Sequence, residues 1–178
     1  MKHLGTKIIK TNRLILRPFR EEDAEGIYNS FRNQEKFLYY AHKDKISLTN
    51  QIKSLAGISE KYKNKEYYNW LITLKDNTII GAINLNVFNS DESVEFNYAI
   101  DDNYQNNGYM TEALQATKDF CLKEMQVNRF FGGCEINNLA SKRVMEKCGL
   151  KYEGTLKNHL LLEDGYHDML MFSYINVL

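Results

Sequence analysis

One stretch in the second half of the chain constrains the fold more than any other. Residues 93–100 have the pattern of a β-strand, with polar and apolar side chains alternating over 93–98, and residues 108–125 have the spacing of an amphipathic helix. Only a short polar loop, residues 101–107, separates them. The first turn of a helix carries unpaired N–H groups and a partial positive charge, and Gly108 lets the backbone approach a ligand closely. This pattern predicts a site for a phosphate or pyrophosphate group.

The spacing within this loop excludes the commoner nucleotide-binding motifs. The chain contains neither the Gly-x-x-x-x-Gly-Lys-Ser/Thr of a P-loop nor the Gly-x-Gly-x-x-Gly of a dinucleotide site. The loop also has no Lys or Arg, so we expect backbone dipoles to provide most of the attraction for an anion. Taken alone, the segment is explained equally well as a polar loop that caps an ordinary helix.

The rest of the chain alternates between strand and helix patterns. Alternation predicts a strand at residues 13–17. Strand-like segments, several of them separated by turn residues, predict further strands at residues 67–74, 78–88, 93–100, 129–136, 152–162 and 166–175. Helical spacing predicts helices after residue 21 and over residues 47–65, 108–125 and 138–148. The resulting order, β-α-α-β-β-β-α-β-α-β-β, predicts an α+β fold with helices packed on a mixed sheet. A length of 178 residues favours a single domain over residues 1–178.

Composition excludes several classes of protein. Lys and Arg total 23, as do Asp and Glu, so the balanced charge gives no basis for binding nucleic acid or an anionic membrane. There is no signal-peptide pattern and no apolar run long enough for a membrane span. The three cysteines fit no zinc spacing, and the histidines have no carboxylate partners at metal spacing, so no metal is expected. Free thiols favour the cytoplasm.

Two motifs resemble those of a known family. Gln105-x-x-Gly108-x-Met110 is similar to the Gln/Arg-x-x-Gly-x-Gly/Ala signature of GNAT-type N-acetyltransferases, and residues 108–114 resemble the RimJ/RimL branch of ribosomal-protein N-terminal acetyltransferases. Residues 138–150 resemble the Asn-x-x-Ser helix of that branch, which ends in Gly and an apolar residue. Residues 13–17, 80–81, 153–154 and 164–168 also fit, so the resemblance covers nearly the whole chain.

The resemblance implies a GNAT (acyl-CoA N-acyltransferase) fold. Its sheet would be mixed, mostly antiparallel and twisted, with about seven strands and helices on both faces. Acetyl-CoA would be the co-substrate, bound between the strand ending near Ile100 and the strand at residues 131–135. The residues that the resemblance places at the cofactor are Tyr98, Ala99, Ile100, Gln105, Asn106, Asn107, Gly108, Tyr109, Met110, Thr111, Asn138 and Ser141.

The same resemblance supplies candidates for catalysis. Glu95 matches the strand glutamate that the family places beside the acceptor, where it acts as a general base; the alternative is a solvent-facing acid among apolar neighbours. Ser141 is the candidate proton donor to the leaving sulfur, or else a small helix residue beside the cofactor. Asn138 is three residues before Ser141 and can cap the last helix. Met145 occupies the slot where many relatives carry a general-acid Tyr, and it cannot donate a proton.

The acceptor is expected to be a primary amine. An α-amine has a pKa of about 7.7–8.0 and a lysine amine about 10.4, so a lysine costs roughly 3.4 kcal/mol more to deprotonate. A protein N-terminus therefore needs only modest help, and the RimJ/RimL resemblance favours it. A polyamine, an amino acid or an aminoglycoside stays open as the acceptor. A non-catalytic acyl-CoA-binding module also stays open as the function, and a homodimer as the oligomeric state. Aromatic residues that are candidates to line an acceptor pocket are Tyr39, Tyr40, Tyr67, Tyr68 and Trp70; packing in the core explains them equally well.

Overall fold

A computed structural model describes residues 1–31, 47–162 and 164–176 of the chain. Its strands are β1 (Ile9–Lys10), β2 (Leu14–Pro18), β3 (Tyr68–Leu74), β4 (Ile79–Phe88), β5 (Ser93–Ile100), β6 (Arg129–Glu135), β7 (Lys151–Leu162) and β8 (Gly165–Ile175). Its α-helices are α1 (Ala24–Phe31), α2 (Leu48–Leu55), α3 (Ile58–Lys61), α4 (Tyr109–Asp119) and α5 (Leu139–Lys147). A π-helical turn, Phe120–Met125, continues α4.

The strands form one eight-stranded sheet in the order β1-β2-β3-β4-β5-β6-β8-β7. The β5–β6 pair is parallel, and the registered pairs β1–β2, β2–β3, β6–β8 and β7–β8 are antiparallel. This confirms the predicted α+β fold with a mixed, mostly antiparallel sheet. The sheet has one strand more than expected because β1 is only two residues long, too short to show an alternating pattern.

The chain divides into two compact units. The amino-terminal unit consists of residues 4–84 and 98–109. Its core includes Ala24 and Ile27 of α1, Leu55 of α2 and Ile58 of α3, all packed with Leu71 of β3. Helix propensity alone does not stabilise helices this short. The additional stabilising free energy comes from burial of their apolar faces on the sheet.

Two buried aromatic residues complete the core of the amino-terminal unit. Tyr68 and Trp70 on β3 are 1% and 0% exposed, and their rings stack with centroids 5.9 Å apart. The Tyr68 hydroxyl accepts a hydrogen bond from the backbone N–H of Leu4, and the Trp70 indole donates to the carbonyl of Lys7. These two residues are therefore core residues, as one of the two interpretations of the sequence had it. Tyr39 and Tyr40 lie outside the described residues.

The carboxy-terminal unit consists of residues 1–3, 85–97 and 110–178. Helices α4 and α5 are joined in it by polar contacts: the Lys118 ammonium donates to the Cys148 carbonyl, and the Cys148 thiol donates to the Thr111 carbonyl at 3.4 Å. Lys118 is only 6% exposed and also lies over the ring of Tyr174 at 4.6 Å. A buried ammonium group needs such partners because it has left water.

One predicted helix is divided in two. The sequence pattern predicted a helical region over residues 47–65 capped by Ser47, and the Ser47 hydroxyl does accept from the N–H of Asn50 at 3.1 Å. Gly57 then adopts a left-handed conformation with φ of +69°, which ends α2 and allows α3 to begin in a new direction. The region is therefore two short helices.

Candidate active site

The predicted phosphate loop begins at a buried carboxylate. Asp101 follows β5, is 5% exposed, and donates its backbone N–H to the carbonyl of Ile80 at 2.8 Å. Its Oδ1 accepts from the backbone N–H of Asn103 at 2.9 Å and from the Asn103 amide at 3.0 Å. The side chain thereby caps a single 3-10 turn, Asp102–Tyr104, and fixes where the chain leaves the sheet.

The loop is held in shape by its own side chains. Asn106 and Gly108 are left-handed, with φ of 60° and 76°. The Gln105 amide donates to the Asp102 carboxylate, and the Asn107 amide donates to the Gln105 carbonyl at 2.8 Å. The side chains of Gln105 and Asn107 therefore order the loop itself, which leaves the backbone N–H groups entering α4 as the natural contacts for an anion.

Helix α4 begins at Tyr109, directly after this loop. Within the carboxy-terminal unit, Met110 is 4% exposed and Ala113 is fully buried, so the first turn is anchored by apolar packing. Glu112 lies in the same turn, where a carboxylate favours the positive end of the helix dipole.

The loop has a cation that its own sequence lacks. Arg13, just before β2, donates from Nη1 to the carbonyl of Asn107 at 3.0 Å, and its guanidinium lies over the Tyr109 ring at 4.4 Å. A Cβ on Gly108 would stand 3.6 Å from Nη2. Sequence reasoning missed this residue as a site residue because Arg13 and Asn107 are 94 positions apart. The only available signal was an Arg exposed before a strand, which is too common to be diagnostic.

The end of β5 is the other cofactor segment predicted within the amino-terminal unit. Tyr98, Ala99 and Ile100 are each partly exposed. A Cβ on Gly81 of β4 would lie only 2.6 Å from the Ala99 carbonyl oxygen, so glycine is required for the strands to approach here. The sequence pattern Ile80-Gly81 thus has a packing reason in this structure.

In the carboxy-terminal unit, the parallel pairing is short. The register joins Ser93–Glu95 to Arg129–Phe131. Beyond it, the Phe96 ring stacks on Phe130 with centroids 4.7 Å apart and lies where a Cβ on Gly132 would approach to 2.6 Å. Gly132 is therefore required for Phe96 to be buried against β6.

Glu95, the candidate base, lies on β5 within the short parallel pair. Its side chain is neither fully buried nor fully exposed. Oε2 accepts a hydrogen bond from the Asn86 amide at 3.0 Å. The amide is a neutral donor, so it orients the carboxylate without forming an ion pair with it.

The last helix begins as predicted. Asn138 Oδ1 accepts from the backbone N–H of Ser141 at 3.0 Å, which is a side-chain N-cap of α5. Ser141 lies in the first turn and is partly exposed. Met145, one turn on, is fully buried, so this position has a packing role and no proton to donate. Asn138 and Ser141 are thus brought together, as the sequence spacing predicted.

A polar cluster that the sequence did not predict lies beside this cap. The His167 ring on β8 stands between two carboxylates, with Nδ1 3.2 Å from Glu135 Oε1 and Nε2 2.8 Å from Asp164 Oδ1. Sequence reasoning treated His167 as an ordinary polar position because its partners are not at metal-ligand spacing. The fold brings Glu135 to it from 32 positions away.

The three free thiols are buried. Burial raises the pKa of Cys134 and of Cys148 to about 11, so both are protonated at neutral pH. Cys134 lies on β6 and is 4% exposed, so it packs as a small apolar residue. Among the described residues, no group of three or more potential ligands could hold a metal ion. No helix in the described ranges has the length and apolar character of a membrane span.

Comparison with known proteins decides the family. A family model described as an acetyltransferase (GNAT) domain matches residues 13–151. The chain belongs to the GNAT acetyltransferase family. The match includes the phosphate loop, Glu95 and the Asn138–Ser141 cap, and the chain is an acetyl-CoA-dependent acyltransferase.

Relatives agree with this assignment. The uncharacterized N-acetyltransferase YnaD of Bacillus subtilis (strain 168) is 30% identical over 154 residues, 84% of this chain and 85% of its own. The ribosomal-protein-serine acetyltransferase of Escherichia coli (strain K12) is 28% identical over 110 residues, 61% of this chain and 62% of its own. A GNAT acetyltransferase structure from Bacillus anthracis superimposes with a TM-score of 0.81 at 25% identity, covering 96% of this chain and 99% of that one. The RimJ/RimL-like resemblance is confirmed.

Proposed function

We propose that this GNAT enzyme acetylates the α-amine of a protein N-terminus by direct attack on acetyl-CoA in a ternary complex. The similarity to a ribosomal-protein-serine acetyltransferase carries the proposal. Proton chemistry supports it, since an α-amine with a pKa of about 7.7–8.0 is substantially neutral near physiological pH. Such an acceptor needs little help from the enzyme.

The phosphate loop binds the pyrophosphate of acetyl-CoA. The backbone N–H groups of residues 106–111 supply hydrogen bonds at the positive end of α4. Arg13, fixed on the Asn107 carbonyl and the Tyr109 ring, adds the positive charge. The Asn138 side chain contacts the pantetheine arm. The family resemblance also assigns the backbone of residues 98–100 to the cofactor.

Glu95 acts as the general base. The amine nitrogen attacks the thioester carbonyl carbon, forming the C–N bond as the C–S bond breaks, and the amine proton passes to the Glu95 carboxylate directly or through one water. Ser141 donates a hydrogen bond to the departing sulfur. A thiol of pKa about 8.5 leaves almost as a thiolate, so a strong acid is not required. The buried Met145 in the position of the family's tyrosine is consistent with that chemistry.

The thiols support a cytoplasmic location. Cys121, Cys134 and Cys148 are free and buried. Unpaired thiols are maintained in a reducing environment, so we place the enzyme in the cytoplasm.

An acceptor panel tests the proposal. The purified enzyme and acetyl-CoA are incubated with peptides that have a free N-terminal serine, with the same peptides Nα-acetylated but containing lysine, and with spermidine, amino acids and an aminoglycoside. Release of the CoA thiol and the product mass are measured. We expect the free N-terminal peptides to react and the blocked peptides to be inert. Turnover confined to small amines would refute the N-terminal acceptor while leaving the acetyltransferase activity intact.

A further inference from the structure

The Glu135 carboxylate closes the turn between β6 and α5. Its Oε2 accepts from the backbone N–H of Asn137 at 2.9 Å, and its Oε1 accepts from the Asn137 amide at 2.9 Å. Its backbone carbonyl accepts from the N–H of Asn138, also at 2.9 Å. One residue therefore fixes both residues that lead into the cap of α5.

The turn is also fastened to β8. The backbone N–H of Ile136 donates to the carbonyl of Asp168 at 3.0 Å. His167, the residue before Asp168, bonds the same Glu135 oxygen that receives the Asn137 amide. A continuous set of contacts thus runs from His167 through Glu135 to the Asn138 cap, with a side chain of Glu135 that is only 13% exposed.

The two contacts of His167 require a charged ring. A neutral imidazole has a single N–H, so it can donate to one carboxylate while its other nitrogen directs a lone pair at the second. Imidazolium donates to both. The hydrogen bond with Glu135, followed by that with Asp164, raises the pKa of His167 above its ordinary value.

A neighbouring ion pair involves Asp168. Asp168, the next residue on β8, is paired with Lys157 of β7 at 2.7 Å. The cross-strand neighbour of His167 on β7 is the apolar Leu160. The imidazolium therefore pairs directly with the carboxylates of Glu135 from β6 and Asp164 from the hairpin turn.

We propose that His167 is a positioning residue that, through Glu135, holds the 137–138 turn in the conformation that receives the pantetheine arm of acetyl-CoA. The proposal rests on the proposed function for the role of Asn138. We call the two hydrogen bonds of charged His167, to Glu135 and to Asp164, the clasp. Because the folded-state pKa of His167 is raised, the clasp is complete below about pH 6.5 and is lost as pH rises through the raised value. Cofactor affinity falls on the alkaline side.

Two probes separate this role from a general loss of structure. Desulfo-CoA contains the arm but no thiol that would titrate, and adenosine 3′,5′-bisphosphate lacks the arm. Their dissociation constants are measured by calorimetry between about pH 6 and about pH 9. The wild-type enzyme should bind desulfo-CoA several-fold more weakly at the alkaline end, with the bisphosphate changing little.

Variants then isolate His167. His167→Asn keeps an amide donor toward Glu135 but does not titrate, so the alkaline weakening should disappear. His167→Ala should weaken desulfo-CoA about tenfold at pH 7 with the bisphosphate unaffected. His159→Asn, an exposed histidine on β7, is the matched control and should keep the wild-type profile.

The possible outcomes are distinct. Wild-type protein that binds neither probe would contradict the proposed function itself. Normal wild-type binding with an unchanged desulfo-CoA affinity in His167→Ala, or an alkaline weakening that persists in His167→Asn, would overturn the positioning role alone. Equal weakening of both probes would show that His167 supports only the fold.

Discussion

The phosphate loop and the turn before α5 are built in opposite ways. The loop is contiguous in sequence and is ordered by short-range contacts, such as that of Asn107 with Gln105. The turn is ordered by Glu135, whose carboxylate is itself held by His167 on β8. A backbone cradle depends little on pH because peptide groups do not titrate in this range, whereas a clasp of carboxylates and imidazole does. If the proposed roles hold, anion binding by the first region should depend little on pH, and positioning of the arm by the second should be sensitive to pH.

The largest expected effect is on turnover, and it concerns Glu95, which lies in neither region. It tests whether the loop and the turn contribute to binding alone. Glu95→Gln removes the proposed base but retains the shape of the side chain. Its amide oxygen can still accept the hydrogen bond from the Asn86 amide. We expect turnover at neutral pH to fall about 100-fold, with the affinity for desulfo-CoA unchanged. Asp91→Asn, an exposed carboxylate before β5, should retain wild-type turnover. An unchanged rate in Glu95→Gln would remove Glu95 from the mechanism.

The next effect sharpens the view of the loop as a backbone site with one added cation. Arg13→Ala should weaken desulfo-CoA and adenosine 3′,5′-bisphosphate alike, by about tenfold at low salt, because a charge-assisted contact is lost. Turnover at saturating acetyl-CoA should stay within about twofold. Lys10→Ala, another cation of the amino-terminal unit, is the control and should bind normally.

Salt dependence provides the check on this result. Wild-type affinity should fall as ionic strength rises, and the fall should be shallower in Arg13→Ala because one cation has been removed. Identical salt profiles would show that Arg13 orders the loop through Asn107 without attracting the cofactor.

Short-range features of the fold were predictable, and long-range ones were not. Strand β5 has the predicted bounds, since polar and apolar residues alternate over most of it and polar turn residues flank each end. The Asn138 cap could be predicted from the sequence because the residue and its N–H partner are three positions apart. The break at Gly57 was missed, because a glycine within a helical pattern is compatible with both continuation and a stop.

The same rule separates the parts of the site. The loop at residues 105–111 could be located because strand, loop and helix follow one another in the chain. Arg13 and the Glu135–His167 contact could not, because tertiary structure brings together residues 94 and 32 positions apart. Sequence patterns report local periodicity, and nothing in them encodes which charged side chains will meet.

A smaller effect separates the two roles of Asn138 in the turn. Asn138→Ala removes the cap and should lower the free energy of unfolding by about 1 kcal/mol, measured by urea denaturation. Asn138→Ser restores a capping oxygen but not the longer amide. If Asn138 contacts the pantetheine arm, both variants should bind desulfo-CoA several-fold more weakly, although only the alanine variant is destabilised. Wild-type affinity in the serine variant would limit Asn138 to capping.

The smallest expected effect is that of Ser141, and it tests whether the turn region contributes to chemistry as well as to binding. A leaving thiol of pKa about 8.5 departs almost as a thiolate, so the Ser141 hydroxyl has little proton transfer to perform. Ser141→Ala should therefore lower turnover only about threefold, the loss of one hydrogen bond to the departing sulfur. Helix α5 should remain intact because its cap uses the backbone N–H of residue 141, which alanine retains.

Comparing thioester and oxygen-ester analogues of acetyl-CoA decides the question, since an alkoxide leaving group requires a proton. A much greater loss with the oxygen ester would show that Ser141 is positioned at the leaving atom. Equal, small losses with both would leave it as a packing residue, and the turn would then be a binding element alone.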